Sequence, residues 1–128
     1  LTDAGADVLT VHHPDWSAQA QQVNGYEADV YLSFEVRPEP PVIAFFQGEH
    51  FISPGGRILA ERLCEALHPL FPTIATRGMR LPMLRETRMP AVLCRFERAR
   101  DVVRYNRDVA AAVATATEIM LTTAGEDL

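Results

Sequence analysis

Carboxylates, histidines, cysteines and a cluster of arginines are the side chains of this 128-residue chain whose types could carry chemistry, and their spacing limits each one. Glu97 lies two residues after Arg95, so on a strand both point to the same face. There Glu97 could serve as a general base or pair with an arginine, and the ion pair is the simpler reading. His12 and His13 are adjacent, and on a strand their rings point to opposite faces and do not chelate one ion. Glu49-His50, close to Gly55-Gly56, reads as a solvated loop. Cys64 and Cys94 have apolar neighbours and read as two buried thiols. A nucleophilic cysteine needs a depressed pKa and a base, and Arg95 beside Cys94 points the other way. Arg95, Arg98, Arg100 and Arg104 either meet an acidic ligand or form a solvated helix start balanced by Glu97 and Asp101, the second being favoured. Trp16 is expected to pack the edge of the core.

These residues need a scaffold, and the hydrophobic pattern supplies one. Residues 6–12 read as a strand. Asp15 can cap a helix from Trp16 to about Gly25. Residues 28–36 alternate, with Val30, Leu32, Phe34 and Val36 on one face and Tyr31, Ser33 and Glu35 on the other. Arg37-Pro-Glu-Pro-Pro41 is a stiff turn. Residues 42–47 are apolar on both faces, as in a strand covered on both sides. After a loop over 48–56, Ser53 and Pro54 start a helix over 54–68, which Pro69 and Pro72 end. Leu84-Arg85 reads as a short edge strand, residues 91–97 as a strand, and 101–121 as one long helix with Val102, Val109, Val113, Ala116 and Met120 on one face. The tail from Thr122 to Leu128 is expected to fray. Alternating strands and helices predict an α/β fold, a three-layer sandwich with a mostly parallel sheet flanked by helices.

The length predicts a single domain over 1–128. A net charge of −5 argues against nucleic acid as a partner. No run reaches the ~18 apolar residues of a membrane span. The sequence contains no signal peptide, and a chain that starts without Met reads as a piece of a longer protein.

The segment Arg77-Gly-Met-Arg-Leu-Pro-Met-Leu-Arg-Glu-Thr-Arg-Met-Pro-Ala-Val-Leu93 resembles the C-terminal signature "RG…vLretxMPavLvE" of the zinc-dependent N-acetylmuramoyl-L-alanine amidases of type 3. Leu1 to Thr10 is similar to that family's "LxxxGaxVxlTR", Glu27 to Glu35 to its "gADlfiSIH", and Ser53 with Ile58 to Leu63 to its "S…LAxxi" helix. The matches fall in family order over nearly the whole chain. The resemblance implies the amidase sandwich without its first strand and helix. It implies peptidoglycan as the substrate class, a cell-envelope or extracellular location, and a zinc ion with three protein ligands and an open position for water.

The same alignment removes the chemistry. The family's first His and its Glu ligand have no counterpart here. Glu35 stands at the position of the "SIH" histidine, and Arg95 at that of the catalytic glutamate. A fixed cation beside zinc repels the metal and cannot act as a base. By the resemblance these two positions are neighbours, so a Glu35–Arg95 ion pair is expected in place of a metal centre. No residue is assigned a catalytic role, with Glu97 and His12 the weak candidates, and no cofactor is expected. The first reading is a catalytically inactive amidase-like domain that binds peptidoglycan or a cell-envelope protein. The alternative is a fragment of an active zinc amidase whose other ligands lie upstream. A third is an unrelated small α/β binding domain. The missing strand predicts an open sheet edge covered by an upstream segment or by a second copy in a homodimer.

Overall fold

The protein is described from a computed structural model, which covers residues 16–26, 28–81, 84 and 89–126, the side chains of 16, 17 and 122–126 excepted. In chain order the elements are α1 (Trp16–Tyr26), β1 (Tyr31–Val36), β2 (Val42–Phe46), α2 (Pro54–Leu67), β3 (Ala75–Met79), β4 (Ala91–Phe96), α3 (Ala99–Arg104) and α4 (Asn106–Glu126). The strands form one four-stranded sheet in the order β1-β4-β2-β3. β1 runs parallel to β4, and β2 parallel to β3, while β2 and β4 are antiparallel. This is the α/β three-layer sandwich with a mostly parallel sheet that the alternation of elements predicts.

Side-chain alternation splits the sheet into two faces. Ile43, Phe45, Val92, Cys94 and Phe96 point to one face and pack on Leu59, Leu63 and Leu67 of α2 and on Val109, Val113 and Ala116 of α4. Tyr31, Ala44, Phe46, Ala91 and Leu93 point to the other, with Val23 of α1 and Leu84. β2 and β4 are buried along their whole lengths because both faces are covered. Ser53 caps α2 as expected: its hydroxyl accepts from the Gly56 N–H at 3.1 Å, and Pro54 takes the first helical position, where no N–H is needed.

Several elements depart from the sequence expectation. The single helix expected over 101–121 is two, broken at Tyr105, whose backbone (φ −106°, ψ 23°) leaves the helical region. The Tyr105 ring stacks edge-on to Phe71 at 6.3 Å, and Phe71 in turn packs on Phe96 at 5.2 Å. Val102 and Val109 are seven residues apart, two helical turns, so the apolar period passes over the break unchanged. The second helix continues to Glu126 because no strong breaker precedes Gly125. Leu84, expected in an edge strand, sits instead in a helical turn, its N–H donating to the Leu81 carbonyl at 3.0 Å. β3 was not expected at all: its first three residues are exposed and its sequence, Ala-Thr-Arg-Gly-Met, has no apolar alternation. Cys64 is only partly buried, and its thiol donates to the Ile74 carbonyl at 3.6 Å. The strand expected over 6–12, the Asp15 cap and Arg85 lie outside the described residues.

Candidate functional site

Glu35 and Arg95 are register partners across the parallel β1–β4 pair. Both belong to the α1-facing side of the sheet, where Arg95 follows Leu93, the last core residue of that face on β4. Arg95 Nε donates to Glu35 Oε1 at 3.2 Å. The ion pair expected from the sequence is formed, and the Arg95 side chain is only 7% exposed. Local geometry dictates this outcome. On parallel neighbours directly paired residues project to the same side, and both strands end here, so two long side chains of opposite charge meet where the apolar rows stop.

Two further residues, missed in the sequence, complete the network. Glu35 Oε1 also forms an ion pair with Arg37 Nε at 2.7 Å. Arg95 Nη1 donates to Glu39 Oε2 at 3.3 Å. The turn over 37–41 folds back across the ends of β1 and β4 and is pinned at both sides: the Arg37 N–H donates to the Phe96 carbonyl at 2.9 Å and the Ala75 N–H to the Pro41 carbonyl at 3.3 Å. Three prolines stiffen it, which fixes where Glu39 points. The signal was present in the sequence: a carboxylate held in a proline-rich turn four residues after Glu35 has little choice of position.

The remaining candidates do not join this group. Glu97 is exposed just past the end of β4 and forms no ion pair with a described residue, so the salt bridge expected for it is not found; the strand ends at Phe96 and no longer holds it beside Arg95. His12 lies outside the described residues. Glu49 and His50 are exposed on their loop, 3.9 Å apart. Cys94 points away from Arg95 into the opposite core, and burial pushes its thiol up to about 12. Arg98, Arg100 and Arg104 are exposed, Arg104 lying 5.3 Å from the centre of the Tyr105 ring. On the same face as the network, Tyr31 Oη donates to Gln19 Oε1 at 2.7 Å, tying α1 to β1, and burial raises its pKa.

A zinc ion does not fit the described residues. Among the described residues no group of three or more His, Cys, Asp or Glu is gathered as metal ligands would be. Glu35 is already paired with two guanidinium groups, and the buried fixed cation of Arg95 beside it repels a metal ion. Among the described residues no helix is long and apolar enough to cross a membrane.

No known family's sequence profile matches the chain, and no curated protein matches it. Solved structures do. The catalytic domain of CwlV, an N-acetylmuramoyl-L-alanine amidase from Bacillus (Paenibacillus) polymyxa var. colistinus, is similar with a TM-score of 0.65 and 15% identity, over 84% of this chain and 66% of that one. The apo form of Ami1, an N-acetylmuramyl-L-alanine amidase from Mycobacterium abscessus, gives 0.67 and 16%, over 84% and 62%. AmiC2, an N-acetylmuramoyl-L-alanine amidase of Nostoc punctiforme, gives 0.64 and 19%, over 91% and 69%. The chain thus spans less than two thirds of the length of the first two of these structures. At these identities the likeness defines a fold: an amidase-like α/β domain without an evident metal-binding cluster among its described residues.

Proposed function

We propose that this is a catalytically inactive amidase-like domain that works in the cell envelope as a peptidoglycan-binding module. The observation that carries the reading is the Glu35–Arg95 pair. The sequence resemblance puts the family's metal histidine and catalytic glutamate at these two positions. In their place stand a salt-bridged carboxylate and a cation that cannot take a proton from water. A scaffold that has exchanged its base for an arginine loses the means to cut the glycopeptide and can still bind it. Fold alone does not fix function, so the proposal rests on this substitution.

The expected cover at the sheet edge belongs to the same reading. Phe34 and Val36 of β1 are 53% and 49% exposed, although they share a face with the buried residues of β4. A further strand, from an upstream segment or from a second copy of the chain, would bury them there.

The test is sedimentation of the purified protein with insoluble peptidoglycan, together with metal analysis and assay of released stem peptide. Co-sedimentation without release is expected. Stoichiometric zinc with zinc-dependent release of stem peptide would instead establish the active-amidase fragment.

A further inference from the structure

Arg95 carries five N–H donors, and the structure places two of them, Nε on Glu35 and Nη1 on Glu39. Nη2 makes no hydrogen bond to a described residue. Among the described residues the one fully buried side-chain N or O without a partner is Thr117 Oγ1, so Nη2 belongs to the small part of the Arg95 side chain, 7% exposed, that meets solvent. The Nη1–Nη2 edge of a guanidinium is a two-toothed fork that matches a carboxylate. Here Glu39 meets it with one tooth, at 3.3 Å, from a side chain 54% exposed. Glu35, by contrast, engages the Nε side and is itself braced by Arg37 at 2.7 Å. One carboxylate therefore anchors the guanidinium, and a second, looser one lies on its Nη1 end.

We propose that the Nη1–Nη2 edge of Arg95 is a binding fork for the carboxylate of a short peptide, and that Glu39 is its internal competitor. The incoming carboxylate displaces Glu39 into solvent, where a half-exposed side chain is readily hydrated, while Glu35 and Arg37 hold the guanidinium in place. The neutral sum of the quartet, two arginines and two glutamates, keeps the site closed to anions until Glu39 leaves. The inference rests on the proposed function only for the source of the carboxylate, a peptidoglycan stem peptide; the fork itself depends on the geometry of these four residues.

The experiment follows the Arg95 Nε–Hε resonance by NMR while acetate, N-acetyl-D-alanine or N-acetyl-D-alanine amide is added at constant ionic strength with chloride. The two acids are expected to shift the resonance saturably and the amide to leave it unmoved. Glu39→Gln removes the competitor and is expected to tighten acid binding about two- to fivefold, the range of an exposed ion pair. Arg95→Lys keeps the charge but loses the fork, and its response to acid, followed on backbone amides of β1 and β4, is expected to vanish. No acid-specific shift in either the unaltered protein or Glu39→Gln would overturn the site. Equal affinity in the two would overturn the role of Glu39. Acid binding without sedimentation on peptidoglycan would uphold the fork and remove its proposed source.

Discussion

Glu35 and Arg95 sit opposite one another on parallel strands, 3.2 Å apart, and they are not equally dependent on each other. Glu35 is one-fifth exposed and keeps Arg37 at 2.7 Å if Arg95 is lost. Arg95 is 7% exposed and, without Glu35, keeps only the half-exposed Glu39. Glu35→Ala should therefore cost about 3 kcal/mol, the penalty of a stranded buried charge. Arg95→Met should cost about 1 kcal/mol or less, because the remaining carboxylate is screened and still paired. Urea unfolding of both single variants and the double variant measures this, with a coupling of about 1–2 kcal/mol expected between them. Equal single costs with no coupling would show that the pair is incidental.

A second dependence lies at the other end of the sheet, between β3 and the residue that follows β2. A Cβ added at Gly78 would overlap Gln47 Oε1 and stand 2.6 Å from its Cβ and 2.7 Å from its Cδ. The amide end can swing aside, but the Cβ cannot, since the Gln47 backbone is held by its N–H on the Met79 carbonyl at 3.1 Å. Gly78→Ala should lower stability by about 1–3 kcal/mol, the range of overpacking. Adding Gln47→Ala should not rescue it, because the offending Cβ stays, whereas Gln47→Gly should recover part of the loss. Thermal unfolding of these three variants against the unaltered protein tests this ordering.

The pattern of what the sequence disclosed follows from where each signal resides. β2 and β4 are apolar and buried on both faces, α2 has a capping serine and a proline at its start, and all three could be read directly. β3 could not, because a strand with three exposed residues has no alternation to betray it. The break at Tyr105 was hidden by a seven-residue apolar spacing, and it depends on an aromatic contact with Phe71 that only the folded chain creates. At the site, Glu35 and Arg95 were legible through the family resemblance. Glu39 and Arg37 were missed: the proline-rich turn that carries them was visible in the sequence, but its folding back over the ends of β1 and β4 was not.

The thiols carry a prediction about pH. Burial raises the pKa of Cys94 from the ordinary 9.0 to about 12, and that of partly buried Cys64 in the same direction. A thiol whose pKa is higher in the folded state contributes stability that is complete below the unfolded value and is lost as pH rises toward the folded one. Stability should accordingly fall from about pH 9 upward, with Cys94 supplying at most ~1.4 kcal/mol per pH unit. Cys94→Ala lowers stability at all pH values but should flatten this decline. At about pH 8, where free thiols are appreciably ionised, a thiol reagent should modify Cys64 slowly and Cys94 only upon unfolding. Rapid native-state labelling of Cys94 would contradict its placement in the core.

Thr117 offers the reverse case, a residue whose replacement should help. It is 5% exposed on the inner side of α4, beside Ala116, and its hydroxyl has no hydrogen-bond partner. An unpaired buried hydroxyl forfeits its bonds to water and gains nothing in exchange. Thr117→Val replaces that oxygen with a methyl group of similar size and similar helix propensity. It should stabilise the protein by about 0.5–1.5 kcal/mol. Thr117→Ser keeps the unpaired hydroxyl and removes a methyl, so it should destabilise by about 1 kcal/mol. Thr115, exposed on the same helix, is the control: Thr115→Val should change stability by no more than about 0.5 kcal/mol. Urea midpoints of the three variants decide it, and a destabilised Thr117→Val would mean that the hydroxyl has a partner after all.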